Sequence, residues 1–211
     1  MEISDKKKHW ETIYRTKEIN EVSWFQPTPE TSLYFIKKFQ IPSDAKIIDV
    51  GGGDSFFADH LLDLGFTGIT VLDISETAIK KAKIRLGDKA VKVKWIEADS
   101  ASFKPTEKYD FWHDRAAFHF LTEDNEIENY IETASQYINP NGILVLGTFS
   151  ESGPKKCSGI EIRQYSEITL QKRFIKSFEK IECITVDHKT PFNTVQNFIF
   201  CSFRKRTSVL D

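Results

Sequence analysis

The stretch "KIIDVGGGDSFFADHLLDLG", Lys46 to Gly65, decides the fold. Ile47 to Val50 suit a buried strand. Three glycines, Gly51 to Gly53, follow at once, and a helical pattern over about residues 55–65 starts directly behind them. A strand that turns through glycine into a helix is how a parallel α/β sheet begins, and ligands bind at such strand ends. Glycine permits the tight turn and leaves no Cβ between main chain and ligand. The dinucleotide fingerprint needs a further glycine three residues after the second. Here Gly53 is followed by Asp54, Ser55 and Phe56, and Phe56 would crowd a pyrophosphate. No Gly-Lys-Ser/Thr occurs, so a P-loop is excluded.

Downstream, strands are expected at 46–50, 69–73, 91–97, 109–113 and 142–149. Helices are expected at about 55–65, 76–86, 123–138 and 166–176. Ser75 can cap the helix that opens at Glu76. Strand–helix alternation with short links predicts parallel strands with helices on both faces and right-handed crossovers. The C-terminal part differs. Strands at 181–188 and 195–203 are joined by a loop too short for a helix, so they pair antiparallel. Upstream, Trp10, Ile13 and Tyr14 fall at helical spacing. Thr28 is placed to cap a further helix with Pro29 at its first position. The chain is expected to form one domain, 1–211, with an aromatic N-terminal lid over 1–40 and a core over 41–211.

The 211 residues include 17 Phe, 4 Trp and 6 Tyr, enough for a sizeable core. The net charge of -2 demands no nucleic acid. The runs Lys6-Lys7-Lys8 and Arg204-Lys205-Arg206 read as solvated tails. Cys157, Cys183 and Cys201 are odd in number, far apart and without metal spacing, which suggests reduced thiols, no metal and a cytoplasmic setting. The N-terminus lacks a secretory apolar stretch, and the longest apolar run is too short to cross a bilayer.

Asp73 ends the second strand, 22 residues after Gly51, where a carboxylate can accept from both ribose hydroxyls. Asp99, in "EADS", ends the third, within reach of an exocyclic amine. The set suits a nucleoside without a diphosphate. With these residues in view, the chain resembles the class I S-adenosyl-L-methionine-dependent methyltransferases over about residues 28–203. "IIDVGGGDS", "VLDIS" and "EADS" are similar to their first three motifs. "YDFWHDRAAFHFL" and "INPNGILVLGTF" fall at the fourth and fifth strand positions. The resemblance implies a Rossmann-like, doubly wound, seven-stranded sheet, mostly parallel, with one antiparallel strand from the C-terminal hairpin. It implies that Gly51, Gly52 and Gly53 approach the methionine part of the cofactor, Asp73 the ribose and Asp99 the adenine. Asp49 supports the turn and the cofactor's amino end. Ile74, Ala98, Ser100, Asp114 and Trp24 complete the implied cofactor set. The product would be S-adenosyl-L-homocysteine. The absent glycine is then expected, since this cofactor carries no pyrophosphate.

"WHDRAAFHFL", residues 112–121, is the densest polar cluster and lies beside the expected sulfonium. Asp114 is a candidate to favour a cation, Arg115 to grip an acceptor carboxylate, and His113 or His119 to take a proton. Trp10, Tyr14, Trp24 and Phe25 are candidates to close over the pocket and exclude water. Residues 148–166, long and polar, suit a substrate loop, in which Cys157 reads as passive. Two subfamily resemblances compete for the acceptor. "HWETIYRTKE…SWF" is similar to protein-lysine methyltransferases acting on elongation factors, but "HDRAAFHF" stands where those carry an Asp-Lys-Gly-Thr-type run. The Trp/Asp/Arg pattern with "SGPKKCSG" is similar to thiopurine and other small-molecule S-methyltransferases. The expected acceptor is therefore a small molecule, a thiol or related nucleophile, with a protein lysine as the alternative. A non-catalytic sensor and a NAD-dependent oxidoreductase are weaker alternatives. Oligomeric state is not set by the sequence.

Overall fold

The computed structural model describes residues 3–207. Seven strands form one sheet: β1 (Lys46–Val50), β2 (Gly68–Asp73), β3 (Val93–Glu97), β4 (Tyr109–Arg115), β5 (Ile138–Phe149), β6 (Phe178–Lys189) and β7 (Val195–Lys205). Their order is β3-β2-β1-β4-β5-β7-β6. The first five are parallel, and β7 runs antiparallel to both β5 and β6. Six helices accompany them: α1 (Ile3–Thr16), α2 (Glu30–Lys38), α3 (Phe57–Asp63), α4 (Glu76–Leu86), α5 (Asp124–Tyr137) and α6 (Glu167–Phe174).

The period-2 rule sorts the strand residues between two apolar layers. Ile48, Val50, Trp112, Leu144 and Leu146 join one core with Tyr130 of α5 and Leu170 of α6. Ile47, Val71, Phe111 and Val145 join the other with Phe35 of α2 and Phe57 and Leu61 of α3. Strand order reverses between β1 and β4, so a crevice opens above their carboxyl ends. The β1–β4 register sets Asp49 opposite His113 and Val50 opposite Asp114.

Several sequence expectations need correction. β3 begins at Val93, because a 3-10 helix occupies Gly87–Lys92. β5 begins at Ile138, where α5 passes straight into strand. Thr28 does not cap α2: Pro29 holds the N-cap position without a side-chain bond, and Thr28 offers only its carbonyl, to the Glu30 N–H. Ser75 caps α4 as expected, accepting from the Ala78 N–H. The basic runs are not free tails. Lys6 is buried and pairs with Glu126, Lys7 pairs with Glu97, and Lys205 donates to Ser135. Nor are all three thiols free. Cys183 and Cys201 face each other across β6 and β7, 4.1 Å apart at Cα, and are disulfide-bonded. Their 18-residue separation gave no hint of this, because strand register brought them together. No helix among the described residues is long and apolar enough to cross a membrane.

Candidate active site

Two cavities lie above the switch point. The first, about 710 Å³, is lined by Leu72, Asp73, Ile74, Ala98, Asp99, Ser100 and Ala117, with Lys6 and Trp10 of α1 across it. The second, about 690 Å³, is lined by Asp49, Gly52, Asp54, Phe56, Phe57 and His113 from the core. Ile19, Val22, Phe25, Gln26 and Ser32 from the N-terminal segment line its other side. Tyr14, Trp24, Gly51 and Arg115 line both, so the cavities meet there.

The glycine turn makes this junction narrow. Gly51 and Gly53 adopt φ of +70° and +44°, a region that L side chains rarely occupy. A Cβ on Gly51 would come 2.5 Å from the Ala117 Cβ, and one on Gly53 would come 2.7 Å from Asp73 Oδ2 and 2.9 Å from the Tyr14 hydroxyl. The bare positions therefore admit the protein's own neighbouring segments. The N–H groups of Gly51 and Gly52 both donate to the Leu72 carbonyl, so they hold the turn to β2. Arg85 of α4 braces the far side. It pairs with Asp54 and Asp59, donates to the Ser55 carbonyl, and lies 4.4 Å from the Phe56 ring centre.

Asp73 accepts from the Ser75 N–H through one oxygen. Burial pushes its carboxyl up to about 7, a rise that the Ser75 N–H partly offsets. Asp99 accepts from the Ala101 N–H through Oδ1, while its buried Oδ2 has no partner. An orphaned acceptor on a cavity wall is costly unless a ligand donor meets it. Arg115 is also buried. One terminal nitrogen donates to the Trp24 carbonyl and the other has no partner. Its guanidinium stacks 5.3 Å from the Phe198 ring, and burial lowers its pKa to about 10, so it stays a cation. No carboxylate pairs with it among the described residues.

The fourth-strand cluster divides. His113 and Arg115 reach the cavities; Asp114 and His119 do not line either. Asp114, expected at the cation, is turned behind the wall. It accepts from the Ala117 and Phe118 N–H groups and from the Tyr130 hydroxyl, so it fixes the turn that carries Ala117 to Gly51. Burial raises its pKa to about 6. His119, expected as a base, accepts from the Phe149 N–H and packs on Phe120 and Phe149. Burial, with Arg115 nearby, lowers its pKa to about 3, so it is neutral at ordinary pH and shuttles no proton. The Asp114–Arg115 brace considered from sequence is not formed. Cys157 is buried and its thiol is pushed up to about 11, as suits a passive side chain. The aromatic wall is present. Trp10 meets Trp24 at 5.8 Å, Tyr14 meets Trp24 at 6.2 Å, and Phe25 meets Phe56 at 6.1 Å. Sequence reasoning missed Ser32, Arg85 and Ala117, which carry no local motif. No cluster of metal-ligating side chains occurs among the described residues.

The strand order, the glycine turn and the two strand-end carboxylates define the fold of the class I, S-adenosylmethionine-dependent methyltransferases. Residues 47–142, a little under half of the chain, match the family described as "Methyltransferase domain". That stretch is thus similar to a methyltransferase domain, and the fold around it is that of the class. Among curated proteins, the chain is 23% identical over 156 residues to EEF1A lysine methyltransferase 2 of Mus musculus, covering 66% of this chain and 64% of that one. It is 24% identical over 149 residues to the ubiquinone biosynthesis O-methyltransferase of Rickettsia canadensis, covering 68% and 61%. The matched part thus spans less than two thirds of either relative. Among solved structures, "Conversion of a Disulfide Bond into a Thioacetal Group during Echinomycin Biosynthesis" aligns with a TM-score of 0.77 at 18% identity, covering 96% of this chain and 94% of that one. The N-methyltransferase NodS from Bradyrhizobium japonicum WM9, in complex with S-adenosyl-L-homocysteine, aligns at 0.69 and 16% identity, covering 88% and 93%.

Proposed function

We propose that the protein transfers a methyl group from S-adenosyl-L-methionine to a small nucleophile, a thiol or related group. The observation that carries this is the pair of cavities joined at Tyr14, Trp24, Gly51 and Arg115. The residues fit the cofactor. Asp73 would hold the ribose and the unpartnered Asp99 oxygen the adenine amine, with Ile74, Ala98 and Ser100 beside them. Asp49, Gly51 and Gly52 would face the methionine part, while Gly53, expected there too, lines neither cavity and abuts Asp73 and Tyr14. When bound, the cofactor supplies an activated methyl on a cationic sulfur. The protein's share is alignment, worth roughly 7–11 kcal/mol in favourable cases. Trp24 and Tyr14 would present aromatic faces to the cation at the junction. The unpartnered guanidinium nitrogen of Arg115 would meet an anionic group. The second cavity would take that group and the acceptor.

Enclosure favours a small acceptor over a protein lysine, because the N-terminal segment roofs the second cavity. The lysine reading keeps support from the similarity to EEF1A lysine methyltransferase 2. Methyl transfer measured over a panel of thiols, phenols, amines and protein lysate tests the proposal. Turnover with a small thiol or phenol is expected; turnover only with lysate protein moves the assignment to lysine. Tight S-adenosylhomocysteine binding with no turnover on any of them would make the protein a sensor.

A further inference from the structure

The wall of the second cavity contains three side chains linked in series. Ser32 Oγ of α2 lies 2.9 Å from His113 Nε2 of β4, and His113 Nδ1 lies 2.7 Å from Asp49 Oδ1 of β1. All three line the cavity. The Phe57 ring, 4.4 Å from the imidazole, packs against it. A carboxylate oxygen only accepts, so Nδ1 carries the hydrogen. A neutral imidazole then offers its lone pair at Nε2, and the Ser32 hydroxyl donates into it. The donors therefore run in one direction, from the cavity surface inward to Asp49. The remaining lone pairs of Ser32 Oγ are left to accept. Burying three polar groups is costly compared with an apolar trio of equal volume, and the N-terminal segment already has other anchors.

We propose that Ser32, His113 and Asp49 form a proton relay that deprotonates a protic acceptor, a thiol or hydroxyl, as it is methylated. The relay rests on the methyl-transfer reading and narrows its substrate class. The acceptor's X–H proton passes to Ser32 Oγ as the serine's own proton passes to His113 Nε2. The electron pair left on X forms the bond to the methyl carbon, and the pair of the broken carbon–sulfur bond stays on sulfur. The imidazolium that results is held beside Asp49 until the proton returns to solvent. Ser32 touches the acceptor, His113 stores the proton, and Asp49 is a positioning residue that fixes the tautomer. An acceptor that is already ionised needs no relay, which gives the test its contrast.

Three measurements separate the outcomes. Calorimetry with S-adenosylhomocysteine comes first; if well-folded protein does not bind it, the methyl-transfer reading falls whatever the relay does. Nitrogen-15 spectra of histidine-labelled wild-type protein come second and need no turnover. Hydrogen on Nδ1 of His113 is expected, and hydrogen on Nε2 of the neutral ring would overturn the relay. Third, rates are compared with 2-mercaptoethanol and phenol, protonated at neutral pH, and with 4-nitrothiophenol, which is ionised. Ser32→Ala and His113→Asn should slow the protonated probes by about 10²–10⁴-fold and the ionised one by less than about threefold. Equal loss on both kinds overturns the relay. Failure of wild-type protein to methylate any of the three, with S-adenosylhomocysteine bound, overturns the protic small acceptor. Where a variant loses S-adenosylhomocysteine binding, its rates are set aside and the wild-type tautomer decides.

Discussion

Asp73 shows how a single residue couples the site to pH. In the free protein, burial holds its carboxyl at about 7, so below that pH it keeps a proton. Ribose hydroxyls donate, and an ionised carboxylate accepts them better than the acid does. If Asp73 holds the ribose as proposed, binding below about pH 7 would expel the proton, and affinity for S-adenosylhomocysteine should fall by up to about tenfold per pH unit as pH drops. Above that value it should level off. Calorimetry in buffers of different ionisation heat will count the released proton, and Asp73→Asn should bind weakly with the pH dependence gone. Asp73 and Asp99 were legible as cavity-wall candidates because one ends β2, 22 residues after Gly51, and the other lies two residues past β3. Asp114 misled because alternation along β4 turns it to the Tyr130 side, opposite His113 and Arg115, and His119 because the 3-10 turn after β4 packs it on Phe149. Ser32 was invisible. It lies 81 residues from His113, on a different element, and no local pattern marks it.

At the scale of elements, the β1–α3 turn is held from three sides: by Leu72, by Ala117 and by Arg85. Gly51→Ala forces a Cβ into Ala117 and strains a positive φ, costing about 1–3 kcal/mol. Urea denaturation should show this loss, and S-adenosylhomocysteine affinity should fall because the turn or the 116–118 segment must shift. The cost arises before any ligand enters, which adds contact with the protein's own Ala117 to the tight turn and ligand approach read from the sequence. α4 is found where its cap and pattern predicted it, because Ser75 and the apolar spacing agree locally. The starts of β3 and β5 were hidden. Residues 87–92 form 3-10 turns with no periodic signal, and α5 meets β5 without an intervening loop.

At the scale of the whole molecule, parallel strands and the terminal antiparallel hairpin followed from alternation and loop length, while strand order and long-range pairings did not. The Cys183–Cys201 bond closes an 18-residue separation, and loop-closure entropy assigns it about 3 kcal/mol. Replacing both cysteines with serine should lower stability by about that much in denaturant titrations, and reductant should then leave the midpoint unchanged. Methyl-transfer capacity of the folded variant should persist, since neither residue lines a cavity. The N-terminal helix is tied to the core by aromatic packing, Trp10 on Phe120 and Trp24, and by polar contacts: Lys6 to Glu126, Lys7 to Glu97 and Glu11 to Thr77. Two of these are ion pairs that salt screens, the exposed one more than the buried one. Stopped-flow displacement of bound S-adenosylhomocysteine should therefore speed up with added salt, with a smaller effect on equilibrium folding. Trp10 and Tyr14 of the same helix line the cavity proposed for the nucleoside, so a spent molecule would depart as that roof lifts. Turnover would then be timed by the exit, and electrolyte in the medium would act as the clock's adjusting screw.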